Sequence, residues 1–159
     1  MVIGADDRGA AALVRRARED AGLSQRELSE RAGLRQPNLA AIESGSREPS
    51  ADLLDRILTA ARLRPSIPLE IHAERLRSLA AAHGFRDVRV FGSTVRGTDD
   101  ERSDVDLLVG ADDDVDYLAV AAFRGAAHDL LGFPVDVVID DRALDDDVLR
   151  AIRGEAVPL

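Results

Sequence analysis

The sequence contains no cysteine and no apolar run long enough to span a lipid bilayer. Without cysteine, the chain can form neither a disulfide bond nor a metal site with thiolate ligands. Its first residues include Asp6 and Asp7 and lack the apolar stretch of a signal peptide. We therefore expect a soluble cytoplasmic protein that does not associate with a membrane.

Charge is distributed unevenly over the 159 residues, which are enough for one ordinary domain or two small ones. The net charge is −9: residues 1–66 hold 11 arginines and 10 acidic residues, whereas residues 67–159 hold 10 arginines and 20 acidic residues. Such an asymmetry suggests two units with different partners. Between these two units, Pro65 and Pro68 interrupt the helical pattern. We predict one domain over residues 9–66 and another over residues 69–159.

Short helices are predicted throughout the first unit. A helix over residues 9–21 is followed by Ser24 and Glu27, a Ser-x-x-Glu capping box that marks the start of a second helix. A third helix begins near Gln36, and Ser50 is placed to cap a fourth. A compact bundle with a tight glycine-containing turn between its second and third helices is what a helix-turn-helix requires.

Residues 13–63 resemble the phage repressor/Cro-type (XRE) helix-turn-helix family. The resemblance rests on segments 18–28, 32–34 and 42–50 taken together. It implies that the third helix enters the major groove of operator DNA. The residues expected to contact DNA are Gln25, Arg35, Gln36, Asn38 and Arg47. A bundle that only dimerises or docks a partner is the alternative, and the near-neutral charge of this unit argues against tight non-specific DNA binding.

Aspartates lie on apolar strands in the second unit. Strands are predicted over residues 87–91, 103–109 and 134–139, and helices over residues 69–83, 115–131 and 144–153. Since alternate residues of a strand share a face, Asp104 and Asp106 point to the same side. Two such carboxylates repel each other without a cation, and Mg²⁺ prefers oxygen ligands. If the third strand pairs with the second, Asp136 completes a three-carboxylate cluster suited to two-metal phosphoryl chemistry.

A Gly-Ser turn follows the first of these strands. Gly92 lets the backbone approach a phosphate, and Ser93 opens a helix whose hydroxyl and N–H groups can bind triphosphate oxygens. Arg96 either adds donors for the nucleotide or braces the fold. The other acidic runs, at residues 112–116, 140–141 and 145–147, are interpreted as solvated loops and helix ends rather than as a second metal site.

The ordered set Gly-Ser-x-x-Arg-Gly, Ser-Asp-x-Asp and a third aspartate on a later strand resembles the minimal nucleotidyltransferase (MNT) family of the polymerase-beta-like superfamily, over residues 71–159. The resemblance implies that Gly92 and Ser93 bind the triphosphate of ATP. It also implies that Asp104 and Asp106 hold two Mg²⁺ ions, and that Asp136 is both a metal ligand and the base for the incoming hydroxyl. The expected fold is α+β overall, with an all-α helix-turn-helix bundle followed by a small α/β nucleotidyltransferase domain that contains a mixed sheet.

Members of the MNT family commonly act as antitoxins beside a HEPN-fold toxin, and some transfer AMP onto a tyrosine of that toxin. The attached XRE domain implies an antitoxin that AMPylates its cognate toxin and represses its own operon, as a homodimer or as a hetero-oligomer with the toxin. Two alternatives stay open. One is a DNA-binding regulator that binds nucleotide or toxin without catalysis. The other is a small-molecule nucleotidyltransferase, a class that usually carries an extra domain for its acceptor.

Overall fold

The first part of the chain folds into four short helices. The computed structural model describes residues 7–111, 115–141 and 147–159. The four helices are α1 (Asp7–Asp20), α2 (Gln25–Arg31), α3 (Gln36–Glu43) and α4 (Ala51–Ala60). Both predicted caps are confirmed. Ser24 and Glu27 form a complete capping box at α2, and Ser50 accepts a hydrogen bond from the backbone N–H of Leu53 at α4. Arg35 is the N-cap residue of α3 and makes no side-chain capping hydrogen bond.

The helical pattern is interrupted over residues 61–65, between α4 and the next helix, which overlaps the interruption that the sequence predicted around Pro65 and Pro68. Two helices follow α4 where the sequence predicted one over residues 69–83: α5 (Ser66–Ile71) and α6 (Ala73–Ala82), which meet at His72. Pro68 is tolerated because it lies in the first turn of α5, where an intrahelical N–H donor is not required. Pro65 therefore precedes a new helix, and Pro68 lies within its first turn.

One apolar core runs through both parts of the chain. Leu13 and Val14 of α1, Ile67 and Leu69 of α5, and Val105 belong to the same cluster of buried side chains. The charge asymmetry of the sequence predicted two separate units, but it carries no information on how they pack. The helical bundle and the following domain are thus joined by buried apolar surface, which is the main favourable term in folding.

Ion pairs add to this junction. Arg64 donates to Asp20 Oδ1 at 2.5 Å and to Asp99 Oδ1 at 3.1 Å. The side chain of Asp99 is fully buried, and its second oxygen accepts a hydrogen bond from the Ser66 backbone N–H at 2.9 Å. Asp99 therefore connects the start of α5 to the loop that leads to Asp104.

The second part contains a four-stranded mixed sheet, so the α+β class is confirmed. The strands are β1 (Phe85–Phe91), β2 (Val105–Ala111), β3 (Val135–Ile139) and β4 (Val157–Pro158), in the order β3-β2-β1-β4. β2 and β3 are parallel, and β1 is antiparallel to both β2 and β4. The helices of this part are α7 (Ser93–Arg96), α8 (Tyr117–Leu131) and α9 (Asp147–Glu155). Among the described residues, no helix is both long enough and apolar enough to cross a membrane.

Both faces of the sheet are covered. Val105, Leu107 and Val109 of β2 pack into the main core with residues of α6 and α8. Leu108 points to the other face, where it packs with Phe91 and with Leu149 of α9. Asp106 is two residues from Leu108 and so lies on the α9 side of the sheet. β2 begins at Val105, so Asp104 precedes the strand in which the sequence had placed it.

Candidate active site and DNA-binding surface

Three carboxylates meet at the N-terminal ends of β2 and β3. Asp106 and Asp136 are register partners on the two parallel strands, and Asp104 extends from the loop that enters β2. Each of the three offers an oxygen that lies within 4.8 Å of the other two. Asp104 and Asp106 are half-buried, and Asp136 is exposed. The conditional prediction that pairing of these strands would bring the three aspartates together is confirmed.

The cluster is electrostatically unfavourable as a set of anions. Burial raises the pKa of Asp106, and the neighbouring carboxylates Asp104 and Asp136 raise it further, against a smaller opposite effect of Arg96. A divalent cation between the three carboxylates would remove this repulsion and favour their ionised forms. The donor set, oxygen only and with three anionic ligands, suits Mg²⁺.

The Gly-Ser turn lies directly against this cluster. Gly92 has φ +77°, and a Cβ built on it would lie 2.1 Å from Asp106 Oδ2, so a larger residue would be strained and would displace that carboxylate. Ser93 follows at the start of α7, and its Oγ is buried without a hydrogen-bond partner among the described residues. A buried hydroxyl without a partner is unfavourable, so a bound ligand that accepts a hydrogen bond from it would be stabilised. The residues at this turn therefore fit a bound triphosphate with its cation.

Arg96 forms an ion pair with α9. Its Nη1 donates to Glu155 Oε1 of α9 at 2.5 Å, and about half of its side chain is exposed. The sequence left open whether Arg96 binds nucleotide or braces the fold. The geometry places it in a bracing contact, with its positive charge close enough to lower the pKa of Asp106.

Of the predicted DNA-contacting residues, three lie at the start of α3, Gln25 is the first residue of α2, and Arg47 lies in the loop after α3. Arg35, Gln36 and Arg47 are exposed, whereas Gln25 and Asn38 are half-buried. Gln36 Nε2 donates to Gln25 Oε1 at 2.9 Å, which links the first residues of α3 and α2. The structure thus brings the two glutamines together on one surface.

A buried carboxylate fixes α3 on the bundle behind this surface. Glu43 accepts hydrogen bonds from Arg18 of α1 at 2.7 and 3.1 Å and from Gln25 Nε2 at 2.9 Å. Its side chain is 2% exposed, so both oxygens need these donors. The network holds α1, α2 and α3 in a fixed relation, which a DNA-reading helix needs.

Comparison with known families agrees with both parts of this description. The family model described as a nucleotidyltransferase domain matches residues 69–157, more than half of the chain. The chain belongs to this family. A second model, described as a helix-turn-helix, matches residues 14–66.

Individual relatives match one part of the chain or the other. The protein adenylyltransferase MntA of Thermococcus cleftensis is 33% identical over 92 residues, which cover 53% of this chain and 92% of that protein. A solved structure assigned provisionally as a minimal nucleotidyltransferase is 41% identical, with a TM-score of 0.52, and covers 57% of this chain and 92% of its own. An uncharacterized HTH-type transcriptional regulator of Mycobacterium tuberculosis is 42% identical over 55 residues, which cover 35% of this chain. The chain spans 39% of the length of that regulator.

The sequence did not predict one contact in the nucleotidyltransferase domain, that of Arg124 with β3. Arg124 of α8 donates from Nη2 to Asp136 Oδ1 at 2.7 Å and from Nε to the Val135 carbonyl oxygen at 3.0 Å. Arg124 lies in a helix of ordinary composition, and no local motif marks it. The parallel pairing of β2 and β3 could have pointed to it, because α8 is the crossover helix that must pack beside β3.

The interpretation of the acidic run at residues 140–141 as solvated is wrong for Asp140 of the nucleotidyltransferase domain. Its side chain is 6% exposed and lies between Arg89 of β1 and Arg153 of α9, with a distance of 2.6 Å to Arg153 Nε. Burial opposes ionisation, but hydrogen bonds from the two arginines outweigh it and lower the pKa of Asp140. Asp116 caps α8 and Asp147 is exposed, as expected of helix-end residues. Residues 112–114 and 145–146 lie outside the described residues.

Proposed function

We propose that the protein is an antitoxin whose nucleotidyltransferase domain transfers AMP from ATP to a cognate toxin protein, and whose helix-turn-helix represses its own operon. The observation that carries the enzymatic part is the three-carboxylate cluster beside the Gly92–Ser93 turn, where the Ser93 hydroxyl has no hydrogen-bond partner in the described parts of the chain. The similarity to a protein adenylyltransferase supports a protein as the acceptor. We propose a HEPN-type toxin because of the family resemblance, and a cytoplasmic location because the helix-turn-helix needs access to operator DNA.

The reaction joins an acceptor hydroxyl to the α-phosphorus of ATP and breaks the bond to the β-phosphate, so that AMP-modified toxin and pyrophosphate are formed. Ser93 Oγ and the N–H groups around it donate to the triphosphate, and Gly92 lets this turn lie directly against the carboxylate of Asp106. When held by Asp104, Asp106 and Asp136, Mg²⁺ ions supply charge neutralisation for the triphosphate and the acceptor oxygen. Asp136 is the most exposed of the three and accepts the proton of the acceptor hydroxyl. Positioning and electrostatics supply most of the rate.

Intact-mass spectrometry of the neighbouring gene's product tests the enzymatic proposal. The product is incubated with this protein, ATP and Mg²⁺, and the Asp104→Ala variant is the control. We expect a gain of one or more AMP units that the variant does not produce. A stable complex with no gain in mass would contradict the enzymatic role and favour a regulator that works by binding. Modification of a small molecule but not of the protein would contradict the protein acceptor.

The DNA-binding proposal needs a separate test on the same chain. We expect the full-length protein to retard the DNA fragment upstream of its own gene in a gel-shift assay, and the Gln36→Ala variant to bind it at least tenfold more weakly. Gln36→Ala should still modify the toxin, and Asp104→Ala should still bind the fragment, so each variant is the control for the other. Equal binding by Gln36→Ala and the wild type would show that α3 does not read this DNA.

A further inference from the structure

Arg124 holds Asp136 through a planar fork. Its Nε donates to the carbonyl oxygen of Val135 and its Nη2 donates to Oδ1 of Asp136, so one rigid group contacts two consecutive residues of β3. The bond to the main chain fixes the guanidinium relative to the strand. The bond to the carboxylate then fixes the side-chain orientation of Asp136 relative to that same strand.

Of the three carboxylates, that of Asp136 is the least restrained by packing. Asp104 and Asp106 come from one short segment, and both are half-buried. The Asp136 side chain comes from a different strand and is 56% exposed, so packing alone leaves its rotamer free. Partners outside the ligand shell orient metal-binding side chains in general, and their loss commonly weakens metal binding by about 10- to 100-fold.

The charge of Arg124 and its geometry predict opposite effects on cation binding. As a positive charge beside three carboxylates, Arg124 would repel a metal ion, and its removal would strengthen metal binding. As an orienting group it would preform the site, and its removal would weaken metal binding. Arg124 and Asp136 are each about half exposed, so solvent screens the charge effect while the hydrogen-bond geometry persists.

We propose that Arg124 is a positioning residue that presents the carboxylate of Asp136 to the divalent cation site formed with Asp104 and Asp106. This inference rests on the metal site of the proposed function and adds to it a residue of α8. By orienting Asp136, Arg124 also positions the carboxylate that accepts the proton of the acceptor hydroxyl. Its loss therefore lowers kcat more than it changes KM for ATP.

Mn²⁺ binding measured by electron paramagnetic resonance tests the proposal without any turnover. We expect Arg124→Gln to weaken Mn²⁺ binding to the full-length protein about tenfold. Arg124→Lys keeps the charge and loses the fork, so its affinity for Mn²⁺ should lie between those of Arg124→Gln and the wild type. The matched control is Arg150→Gln, which removes an exposed arginine of the same domain that pairs with Asp147 outside the cluster. It should bind Mn²⁺ like the wild type, and thermal unfolding in EDTA shows that each variant is folded.

A double-mutant comparison isolates the role of Asp136. In an Asp136→Asn background, Arg124→Gln should cause no further loss of Mn²⁺ binding, because the group that Arg124 orients is already gone. Tighter or unchanged binding by Arg124→Gln alone would overturn the positioning role and leave the proposed function standing. Failure of the wild type to bind Mn²⁺ would overturn the metal site itself, and the positioning role with it.

Discussion

At the scale of single residues, Gly92 and Asp106 show how closely the backbone approaches the candidate active site. Two features of Gly92 oppose a larger residue at this position. One is its positive φ, and the other is the 2.1 Å separation between its hypothetical Cβ and Asp106 Oδ2. Gly97, five residues on, has a similar φ of +68°, but a Cβ there meets no atom of the described structure within 4 Å. The two glycines therefore separate the effect of backbone conformation from the effect of crowding.

We expect Gly92→Ala to abolish AMP transfer, because the methyl group displaces the Asp106 carboxylate from the cluster. Gly97→Ala should lose only the conformational contribution, about 1–2 kcal/mol in the free energy of unfolding, and should keep activity in proportion to its folded fraction. Toxin modification and urea unfolding of both variants provide the measurements. Equal activity of the two variants would show that the close approach at Gly92 is unimportant.

Asp106 is expected to reduce the stability of the metal-free protein. Its raised pKa reflects burial and two neighbouring carboxylates, so the ionised form is disfavoured in the folded state. Asp106→Asn should increase the free energy of unfolding by about 1 kcal/mol when measured in EDTA. With Mg²⁺ present the advantage should shrink or reverse, because only the wild type gains stability from bound metal. Thermal unfolding with and without Mg²⁺ checks this, and lower stability of the variant in EDTA would contradict it.

At the scale of elements, polar contacts hold α9 at two places, one beside the sheet and one at α7. Asp140 receives hydrogen bonds from Arg89 of β1 and Arg153 of α9, and Arg96 of α7 pairs with Glu155 near the end of α9. Between these contacts, the cluster of Phe91, Leu108 and Leu149 supplies apolar packing. Since Asp106 lies on the same face, the position of α9 determines one wall of the candidate active site.

We expect Asp140→Asn to lower the free energy of unfolding by about 2 kcal/mol at neutral pH, less than the 3–5 kcal/mol of a fully buried pair because both arginines keep some exposure. The pKa of Asp140 is lowered in the folded state, so its contribution is full above the unfolded value of about 4 and is lost as pH falls through the folded value. Urea unfolding over a pH series should show the wild type and variant converging in acid. Asp147→Asn, at a 94% exposed position, should stay within about 0.5 kcal/mol throughout.

The sequence predicted those elements whose signals are local. The caps at Ser24 and Ser50 and the strands around Asp106 and Asp136 depend on residues within a few positions of each other. Asp140 could not be predicted in the same way, because its partners are 51 residues earlier and 13 residues later in the chain. Arg124 was missed for a similar reason, since its importance depends on how α8 packs against β3. The catalytic and DNA-binding roles stay predictions.

At the scale of the whole molecule, the two parts share one core and a buried carboxylate. Apolar side chains from α1 and α5 pack in the same cluster as those of β2. Asp99 joins Arg64 and the Ser66 backbone to the loop that carries Asp104. These contacts make the bundle and the nucleotidyltransferase domain depend on each other for stability.

We expect thermal unfolding of the full-length protein to be a single transition when followed both by helix content and by a probe in the sheet. Asp99→Ala should lower the free energy of unfolding by about 2 kcal/mol, because the Ser66 N–H and one donor of Arg64 lose their acceptor. Two transitions, with only the second affected by Asp99→Ala, would contradict the shared core. Glu101→Ala, an exposed position in the same loop, is the control that should change little.

The continuous core also bears on how a cell could remove this protein. A protease that cut the chain near α5 would expose Ile67 and Leu69 together with the apolar face of α1, and neither fragment would keep a complete interior. Cleavage at one place would then unfold both parts of the chain at the same moment, so the lifetime of both would be set by a single peptide bond.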